Sequence, residues 1–426
     1  MDAVILAAGY GRGLEPLTHT RNKVLLPVVN TPLLEYQIKA LKAVGVDRVV
    51  IVVNYLRDQV GKFLNGLNLD VDVKLVDQGK PLGTGHALMK ALEYVTTERF
   101  LVLYGDVYVG VDDLKKISTL ETPAVAGYEV KDPRLYGVLI VDSDGSLKNI
   151  IEKPASPPSN MVNAGIYLLT HDVLKHLSRI EVSSRGEYEL TDALTNYAKE
   201  TSVKVVRLSY WIDIGRPWKL LELNKKLMDT WNEPVIKGRV ENGVVIKGNV
   251  IVEEDAEVLS GTYIVGPAYI GKGAVIGPNA YIRPYSVILD RSRIGFNVEI
   301  KESLVMSNTH IAHQAYVGDS IIGEHSNLGA GTILANLRFD NGTVYYRVKG
   351  KKEDTGRSKF GAVLGDYVKT GVNVSIMPGV KVGAYSWIYA GITVNEDIPP
   401  CTFYKGKENS TKIYGDCPVN LSLWST

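Results

Sequence analysis

The residues best suited to chemistry lie in two stretches far apart in the chain. The first is Leu6-Ala-Ala-Gly-Tyr-Gly-Arg-Gly-Leu-Glu-Pro16, with glycines at 9, 11 and 13. Such a loop lets backbone amides approach phosphate oxygens. It is neither a Walker loop nor a dinucleotide fingerprint, so by itself it indicates only an anion. Lys23-Val-Leu-Leu-Pro27 follows shortly after. The second stretch holds His310, His313 and His325. Their spacing permits a metal site, but no carboxylate partner accompanies them, and a structural histidine is the better reading of any one alone. Cys401 and Cys417 form no CxxC motif and read as free thiols, with a staple of the tail onto itself as the alternative. The basic run Lys349-Gly-Lys-Lys352 reads as a solvated face.

The elements that must position these residues come in two kinds. Over residues 1–230, strands and helices alternate. Ala3–Ala8, Arg48–Asn54 and Phe100–Tyr104 are short aliphatic runs of the kind buried in parallel sheets. A helix is predicted between the first two, with Thr31 as its cap, Pro32 in its first turn, Leu34, Ile38 and Leu41 on one face, and Gly45 as its stop. Further helices are predicted at Thr84–Tyr94, Leu190–Lys199 and Pro217–Trp231. This alternation specifies a layered α/β sheet with ligands beyond the strand carboxyl ends.

From about residue 240 the period changes. Ile246, Val252, Val258, Ile264, Ile270, Ile276, Ile282, Ile288, Ile294, Ile300 and Met306 recur at every sixth position. A second register is small: Ala256, Thr262, Ala268, Ala274, Ala280, Ser286 and Ser292. No helix or alternating strand has that period. It specifies a parallel β-helix of hexapeptide repeats, three to a coil. The register is expected to break near Asn308–Gly331 and to resume at Leu364, Thr370, Ile376, Val382, Ile388 and Val394. The polar stretch Arg338–Lys359 reads as a loop excluded from the prism. The division expected is 1–230 for the first domain, 231–243 for a linker, 244–398 for the prism and 399–426 for a tail that covers its end.

Composition removes other classes of function. The 426 residues carry 48 Lys+Arg against 47 Asp+Glu, a net charge of +1, which excludes nucleic-acid binding through bulk positive charge. With 45% hydrophobic and 22% charged residues, the chain is not a disordered one. No apolar run reaches the roughly 18 residues needed to cross a bilayer. The amino terminus lacks a basic flank, so no signal peptide is read there and a cytosolic location is expected. Only four Gln among so many residues suggests a thermophile.

The glycine loop and the Lys23 segment together resemble the sugar-1-phosphate nucleotidylyltransferase signature, a loop of LAAGxGxRLxPLT type followed by PKxLLPV. Gln78-Gly-Lys-Pro-Leu-Gly-Thr-Gly-His86 is similar to the nucleobase-reading segment, and Tyr104-Gly-Asp106 to the metal-binding strand end. Tyr136-Gly137, Glu152-Lys153-Pro154, Asn163-Ala-Gly165 and Trp211-Ile-Asp213 look like the sugar and second metal sites. The resemblance implies nucleotide binding by Ala8, Gly9, Gly11, Gln78, Gly83 and Thr84. It implies sugar binding by Gly137, Glu152 and Asn163, Mg²⁺ on Asp106 and Asp213, and Lys23 as a catalytic point charge. No protein nucleophile is needed, because such a site holds two anions in line and neutralises developing charge.

In the second half, Tyr281-Ile-Arg283-Pro284, Asn297-Val-Glu-Ile-Lys301, Ala312-His313-Gln-Ala-Tyr316-Val-Gly-Asp319, Asn327-Leu-Gly-Ala-Gly-Thr332, Asn336 and Lys359-Phe360 occur in order. The series resembles the amino-sugar-1-phosphate acetyltransferase half of the bifunctional UDP-N-acetylglucosamine pyrophosphorylase family (the GlmU type), in an archaeal, thermophile-like form. The fold so implied is a Rossmann-like α/β nucleotidyltransferase domain followed by a left-handed parallel β-helix. His313 is then the general base. Arg283, Lys301 and Lys359 hold the sugar phosphate, Tyr316 and Asn327 the sugar, Asn336 the acetyl group, and Ala390 with Lys405 meets coenzyme A. The co-substrates are acetyl-CoA and UTP or dTTP. The assembly implied is a homotrimer of prisms, with no nucleic acid and no membrane.

One position departs from the pattern. Where the family has an arginine that binds triphosphate, this chain has Gly13, with Arg12 one position earlier. Either Arg12 swings in, or Arg21 substitutes, or transfer is crippled. The expectation is a bifunctional enzyme with reduced but retained nucleotidylyl transfer. Monofunctional thymidylyl or uridylyl transfer to glucose-1-phosphate, and a catalytically impaired regulatory subunit, are the alternatives.

Overall fold

The computed structural model describes residues 1–413 and 415–424. They form two compact units that interleave along the chain. The first comprises Met1–Tyr10, Asn22–Leu25 and Pro32–Ile214; the second comprises Gly11–Arg21, Leu26–Thr31 and Gly215–Thr426. Among the described residues no helix is long and apolar enough to cross a membrane.

The first unit is built on one mixed sheet. The unit contains the strands β1 (Asp2–Leu6), β2 (Arg48–Val53), β3 (Asp72–Asp77), β4 (Arg99–Tyr104), β5 (Val107–Val109), β6 (Ala124–Glu129), β7 (Gly137–Val141), β8 (Leu147–Glu152), β9 (Met161–Thr170), β10 (Lys204–Arg207) and β11 (Trp211–Asp213). The order across the mixed sheet is β8-β7-β9-β4-β1-β2-β3, with β6 joining β9 and β10 joining β6, while β5 and β11 form a separate two-stranded sheet. β1 lies between β2 and β4, parallel to both, and β9 is antiparallel to β4. The aliphatic runs are buried on both faces, which is why they show no alternation: Ala3 and Ile5 belong to one core, Val4 and Leu6 to the other.

The predicted helices are present as α1 (Leu33–Ala43), α2 (Thr84–Leu92), α3 (Leu190–Glu200) and, in the second unit, α4 (Pro217–Met228). The expected Thr31 cap is not. Pro32 occupies the cap position with no side-chain cap, and the Thr31 hydroxyl donates to Asn30 instead. Gly45 does stop the helix at φ +86°, its N–H reaching the Lys42 carbonyl at 3.0 Å.

The second unit contains the prism, three sheets of eight, ten and eight strands that are parallel throughout except for the last pair of the ten, where Thr411–Lys412 runs antiparallel to Thr402–Tyr404. The aliphatic register points inward, from Val252 and Val258 through Ile264, Ile270 and Ile276 to Val382, Ile388 and Val394. The small register is buried where the chain turns, and its hydroxyls satisfy backbone: Ser286 donates to Arg283 O at 2.7 Å and Ser292 to Met306 O at 2.9 Å.

Two corrections concern the register. Met306 is not the interior residue of its coil; Val305 is, lying between Ile288 and Ile322 in the ladder. The predicted break near residue 308 is a pair of five-residue steps, Ile300 to Val305 and Val317 to Ile322, which shorten one corner and keep the coils stacked. The true excursion is the excluded stretch. It leaves after Asn336, forms an antiparallel hairpin of Tyr345–Val348 with Lys351–Asp354, and returns at Lys359 opposite Leu337.

The tail also differs from expectation. Cys401 and Cys417 are joined in a disulfide, not free, and no free cysteine occurs among the described residues. Cys401 sits at the last corner column, its N–H on Ala384 O at 2.9 Å, so the bond staples the tail to the prism end. Closing a loop of separation 16 restricts the unfolded chain by about 3 kcal/mol. Cys417→Ser is expected to lower the unfolding temperature to the value of the reduced parent and to make it insensitive to reductant. Differential scanning calorimetry with and without reductant checks this.

His19 lies in the same unit, 7% exposed, with its ring edge against Trp424 and Nδ1 accepting from the Ala384 N–H at 3.4 Å. Burial, aided by the nearby Lys381 charge, pushes its pKa down to about 3. The unfolded chain therefore binds the extra proton between that value and the ordinary one near 6.5. Its contribution to stability is complete above about 6.5 and is lost as pH falls toward 3. From pH 6.5 to pH 5 the loss is about 2 kcal/mol. His19→Gln is expected to reduce the pH slope of the urea unfolding free energy by that amount.

Candidate functional site

In the first unit the polar residues gather at the carboxyl ends of β1 and β4. Gly105 follows β4, and a Cβ there would lie 3.0 Å from Leu6 O and 3.1 Å from the Ala7 Cα. Only glycine allows that close approach, and it brings Ala8-Gly9 beside Asp106. Lys23 closes the cluster, its Nζ 2.5 Å from Asp106 Oδ2 and 3.5 Å from where a Gly9 Cβ would stand. Buried Asn22 holds the lysine's turn: its N–H donates to Gln59 Oε1 at 3.1 Å, its Nδ2 donates to Tyr55 O at 2.6 Å, and its Oδ1 accepts from Val24 N at 3.1 Å.

β11 runs antiparallel to β5 with Asp213 opposite Val107, and Ile214 N–H donates to Asp106 O at 2.8 Å. Asp106 and Asp213 thus end adjacent strands. The described residues contain no group of three or more His, Cys, Asp or Glu able to hold a metal by themselves. Two neighbouring carboxylates suit a Mg²⁺ ion that takes its remaining ligands from phosphates and water.

Gln78 is buried, and its Nε2 donates to Gly83 O at 2.9 Å and lies 3.2 Å from His86 Nδ1. Its amide nitrogen is therefore engaged within the protein. Gly83, at φ +111°, could carry no side chain, because a Cβ would lie 2.5 Å from Tyr188 O. Thr84 starts α2, and its Oγ1 accepts from Leu190 N at 3.1 Å.

Gly137, Glu152 and Asn163 come together across β7, β8 and β9: a Cβ on Gly137 would meet Glu152 Oε2 at 2.9 Å and Asn163 Cβ at 3.6 Å. Burial raises the Glu152 pKa, although Arg185 at 3.3 Å opposes the shift. Asn163 bridges Tyr167 OH and the Gly165 N–H.

The second unit holds the rest of the loop. Gly11 has φ +73°, and Arg12 begins a short 3-10 turn, half-buried. Arg21 does not stand in for the missing loop arginine. It is bound to Glu324 at 2.9 Å and Asp366 at 3.4 Å, and Thr20 donates to the same Asp366 at 2.7 Å. Nor does position 13 have room for an arginine. A Cβ there would stand 2.3 Å from Gly215 O and 2.4 Å from Arg216 Nη1.

On the prism, Tyr316 and Asn336 meet over Gly318, where a Cβ would be 2.5 Å from both Asn336 Nδ2 and Tyr316 OH. Asn336 Nδ2 also donates to Asp319, whose carboxylate receives Lys301 Nζ at 2.9 and 2.8 Å. Arg283 lies on the same side, donating to Glu299 at 2.9 Å. Burial, and secondly the Asp319 charge, raises the Tyr316 pKa and keeps the phenol a donor. His313 ends the strand His310–His313, exposed, one corner before Tyr316. Asn327 faces out beside His310 on the same sheet, Lys359 is exposed where the excluded stretch returns, and Ala390 is exposed beside Gly391.

Sequence reasoning missed the acidic hub of this site. Asp319 is 1% exposed. Next to it Glu302 binds Arg357, and although burial alone would raise it, Arg357 and Lys225 hold its carboxyl below the usual range. The signal available was Asp319 at the end of the His313 segment. Its partners are too far away in sequence to be paired by inspection.

A family model described as Nucleotidyl transferase matches residues 2–230, and one described as GMPPB C-terminal domain matches residues 264–382. The chain is 47% identical over 409 residues to the bifunctional sugar-1-phosphate nucleotidylyltransferase/acetyltransferase of Sulfurisphaera tokodaii, covering 95% of this chain and 100% of that protein. It is 44% identical over 410 residues to the bifunctional protein GlmU of Methanocaldococcus jannaschii, covering 96% and 98%. Among solved structures, a UDP-glucose pyrophosphorylase complexed with UDP-glucose aligns with a TM-score of 0.50 and 25% identity, over 54% of this chain and 99% of that one. The chain belongs to the family of bifunctional sugar-1-phosphate nucleotidylyltransferase/acetyltransferases, with a nucleotidyl transferase domain as its amino-terminal half.

Proposed function

We propose that the chain makes a UDP-N-acetylhexosamine in two steps. Acetyl-CoA first acetylates the amine of glucosamine-1-phosphate, with galactosamine-1-phosphate as a second acceptor. The resulting sugar phosphate then takes a uridylyl group from UTP, with dTTP as the competing nucleotide, and pyrophosphate leaves. The enzyme works in the cytosol as a homotrimer of prisms. The observation that carries this reading is that one chain holds two separate polar clusters, one around Lys23 and Asp106, the other around Tyr316 and Asn336.

In the acetyl step the amine nitrogen attacks the thioester carbonyl, the C–S bond breaks, and the thiol of coenzyme A leaves. His313 is exposed, so it can take the amine proton as the bond forms, a role worth roughly 10²–10⁴ in rate. Arg283, Lys301 and Lys359 attract the sugar phosphate, Tyr316 donates to the sugar beside Asn327, and Asn336 orients the acetyl group near Ala390.

In the uridylyl step a phosphate oxygen of the sugar attacks the α-phosphorus, and the bond to pyrophosphate breaks. Asp106 and Asp213 fit a Mg²⁺ ion, which when bound neutralises charge on the phosphates. Lys23 supplies a cation against the glycine loop, while Ala8, Gly9 and Gly11 offer backbone to the triphosphate. Gln78, Gly83 and Thr84 line the base, and Gly137, Glu152 and Asn163 the sugar. Arg12 remains the nearest basic residue in the loop sequence.

The two steps are separable by mutation. His313→Ala is expected to lower coenzyme A thiol release from acetyl-CoA and glucosamine-1-phosphate by about 10²-fold or more, with pyrophosphate release from UTP and N-acetylglucosamine-1-phosphate unchanged. A parent protein that releases no thiol overturns the acetyl half. Asp106→Asn is expected to do the reverse, abolishing pyrophosphate release and leaving thiol release intact. Loss of both activities in either variant would contradict the separation.

A further inference from the structure

We propose that Asp319 is a positioning residue of the acetylation site: through Asn336 it fixes the Tyr316 hydroxyl as a hydrogen-bond donor to the amino sugar. Every residue involved belongs to the second unit, and the proposal rests on the acetyl transfer proposed for this chain. Asp319 turns a prism corner at φ +48°, its N–H donating to Lys301 O at 2.8 Å and its carbonyl accepting from Gly361 N at 2.8 Å. Its side chain is buried, yet both oxygens are engaged. Lys301 Nζ donates to Oδ1 at 2.9 Å and to Oδ2 at 2.8 Å, and Asn336 Nδ2 donates to Oδ2. A carboxylate so paired with an ammonium only accepts; it has no proton to give. Lys301, with three donors, directs two at Asp319 and retains one for a phosphate oxygen.

The carboxylate decides the direction of each bond beyond it. An amide side chain has a donor end and an acceptor end. With Asn336 turned over, its Oδ1 would face the Asp319 carboxylate, acceptor against acceptor. Nδ2 therefore faces Asp319, and its second hydrogen goes to Tyr316 OH at 3.1 Å. Gly318 makes that crossing possible, because a Cβ there would stand 2.5 Å from both Asn336 Nδ2 and Tyr316 OH. The backbone of Asn336 is held as well, its carbonyl accepting from Phe360 N at 3.0 Å where the excluded stretch returns. With its oxygen accepting from Asn336, Tyr316 keeps its own proton, and among the described residues no acceptor takes it. Burial first, and then the Asp319 charge, opposes loss of that proton. The series Lys301, Asp319, Asn336, Tyr316 thus runs one way and ends on an unengaged O–H. An oxygen of the sugar phosphate suits that O–H. A protonated amine, which can only donate, does not, and is left to His313.

The test measures thiol release by the full chain from acetyl-CoA and glucosamine-1-phosphate, with KM and kcat determined for each substrate. Asp319→Asn is expected to raise KM for glucosamine-1-phosphate roughly tenfold, with kcat and KM for acetyl-CoA changed by less than about threefold. Tyr316→Phe is expected to raise the same KM by a similar factor, and the double variant to go no more than about twofold further. Asn336→Ala leaves the Lys301–Asp319 pair intact and so guards against a misfolded Asp319 variant. Its effect on KM for the sugar phosphate is expected to vanish likewise in the Tyr316→Phe background. A purely structural role would instead lower kcat and both affinities together, and would add in full to Tyr316→Phe. A KM for glucosamine-1-phosphate within about twofold of the parent in Asp319→Asn overturns the proposal, as do additive losses in either pair of variants. Both outcomes leave the acetylation reading in place. A parent protein that releases no thiol overturns that reading and this proposal with it.

Discussion

The ammonium of Lys23 lies against the Asp106 carboxylate, 2.5 Å away, and the same pairing of a cation with a resident carboxylate recurs along this chain. Cations gathered to receive phosphate repel one another until the phosphate arrives. Several cations here have a resident carboxylate: Lys301 has Asp319, Arg283 has Glu299, Arg216 has Glu353 and Arg357 has Glu302. An anionic substrate that binds at such a pair would not meet an unbalanced positive charge; it would share or exchange a partner at a cation whose direction is already fixed. Removing one member of such a pair leaves the other charge half-buried, which is why charge-conserving variants report on function more cleanly than alanines.

Backbone geometry sets where those pairs can stand. The close packing of Gly105 on Leu6 and Ala7 places the ends of β1 and β4 side by side, and the ladder between β5 and β11 adds Asp213 to that edge. On the prism, successive coils stack in the same orientation with Lys301 paired to Gly318, so Lys301, Gly318 and Asn336 become neighbours although they lie in three different coils. A sheet edge and a stacked corner solve the same problem: each holds polar side chains in a row while apolar residues immediately behind them are buried.

How much of this was legible depended on the range of the interaction. Aliphatic runs and the six-residue period are local, and they foretold the buried strands and the inward column from Val252 to Ile300 and again from Leu364. Glycines that a motif requires, such as Gly83, were also visible. The five-residue steps at Val305 and Ile322 were not, because a shortened corner leaves no mark in the composition and simply shifts the count. Thr31 looked like a cap, but the following proline already fixes the helix start and needs no side-chain oxygen. The disulfide was missed because two cysteines 16 apart say nothing of whether the tail folds back. Arg216 with Glu353 and Arg21 with Asp366 join residues 137 and 345 apart, beyond any periodicity argument.

The same distinction explains why Gly13 misleads when the loop is read alone. A glycine in place of an arginine looks like a deletion of function, and Arg12 or Arg21 looks like the nearest repair. The structure adds a constraint of space: position 13 is filled from outside the loop, since a Cβ there would overlap Gly215 O and the Arg216 guanidinium. His313 presents the opposite case. It stands exposed at the end of its strand, as the base proposed for it must, whereas Lys23, Lys301 and Arg283 are buried to varying degrees and paired. On the function proposed above, the two chemistries would leave two physical signatures: cations held in advance by carboxylates for transfer between phosphates, and an accessible ring for transfer to an amine.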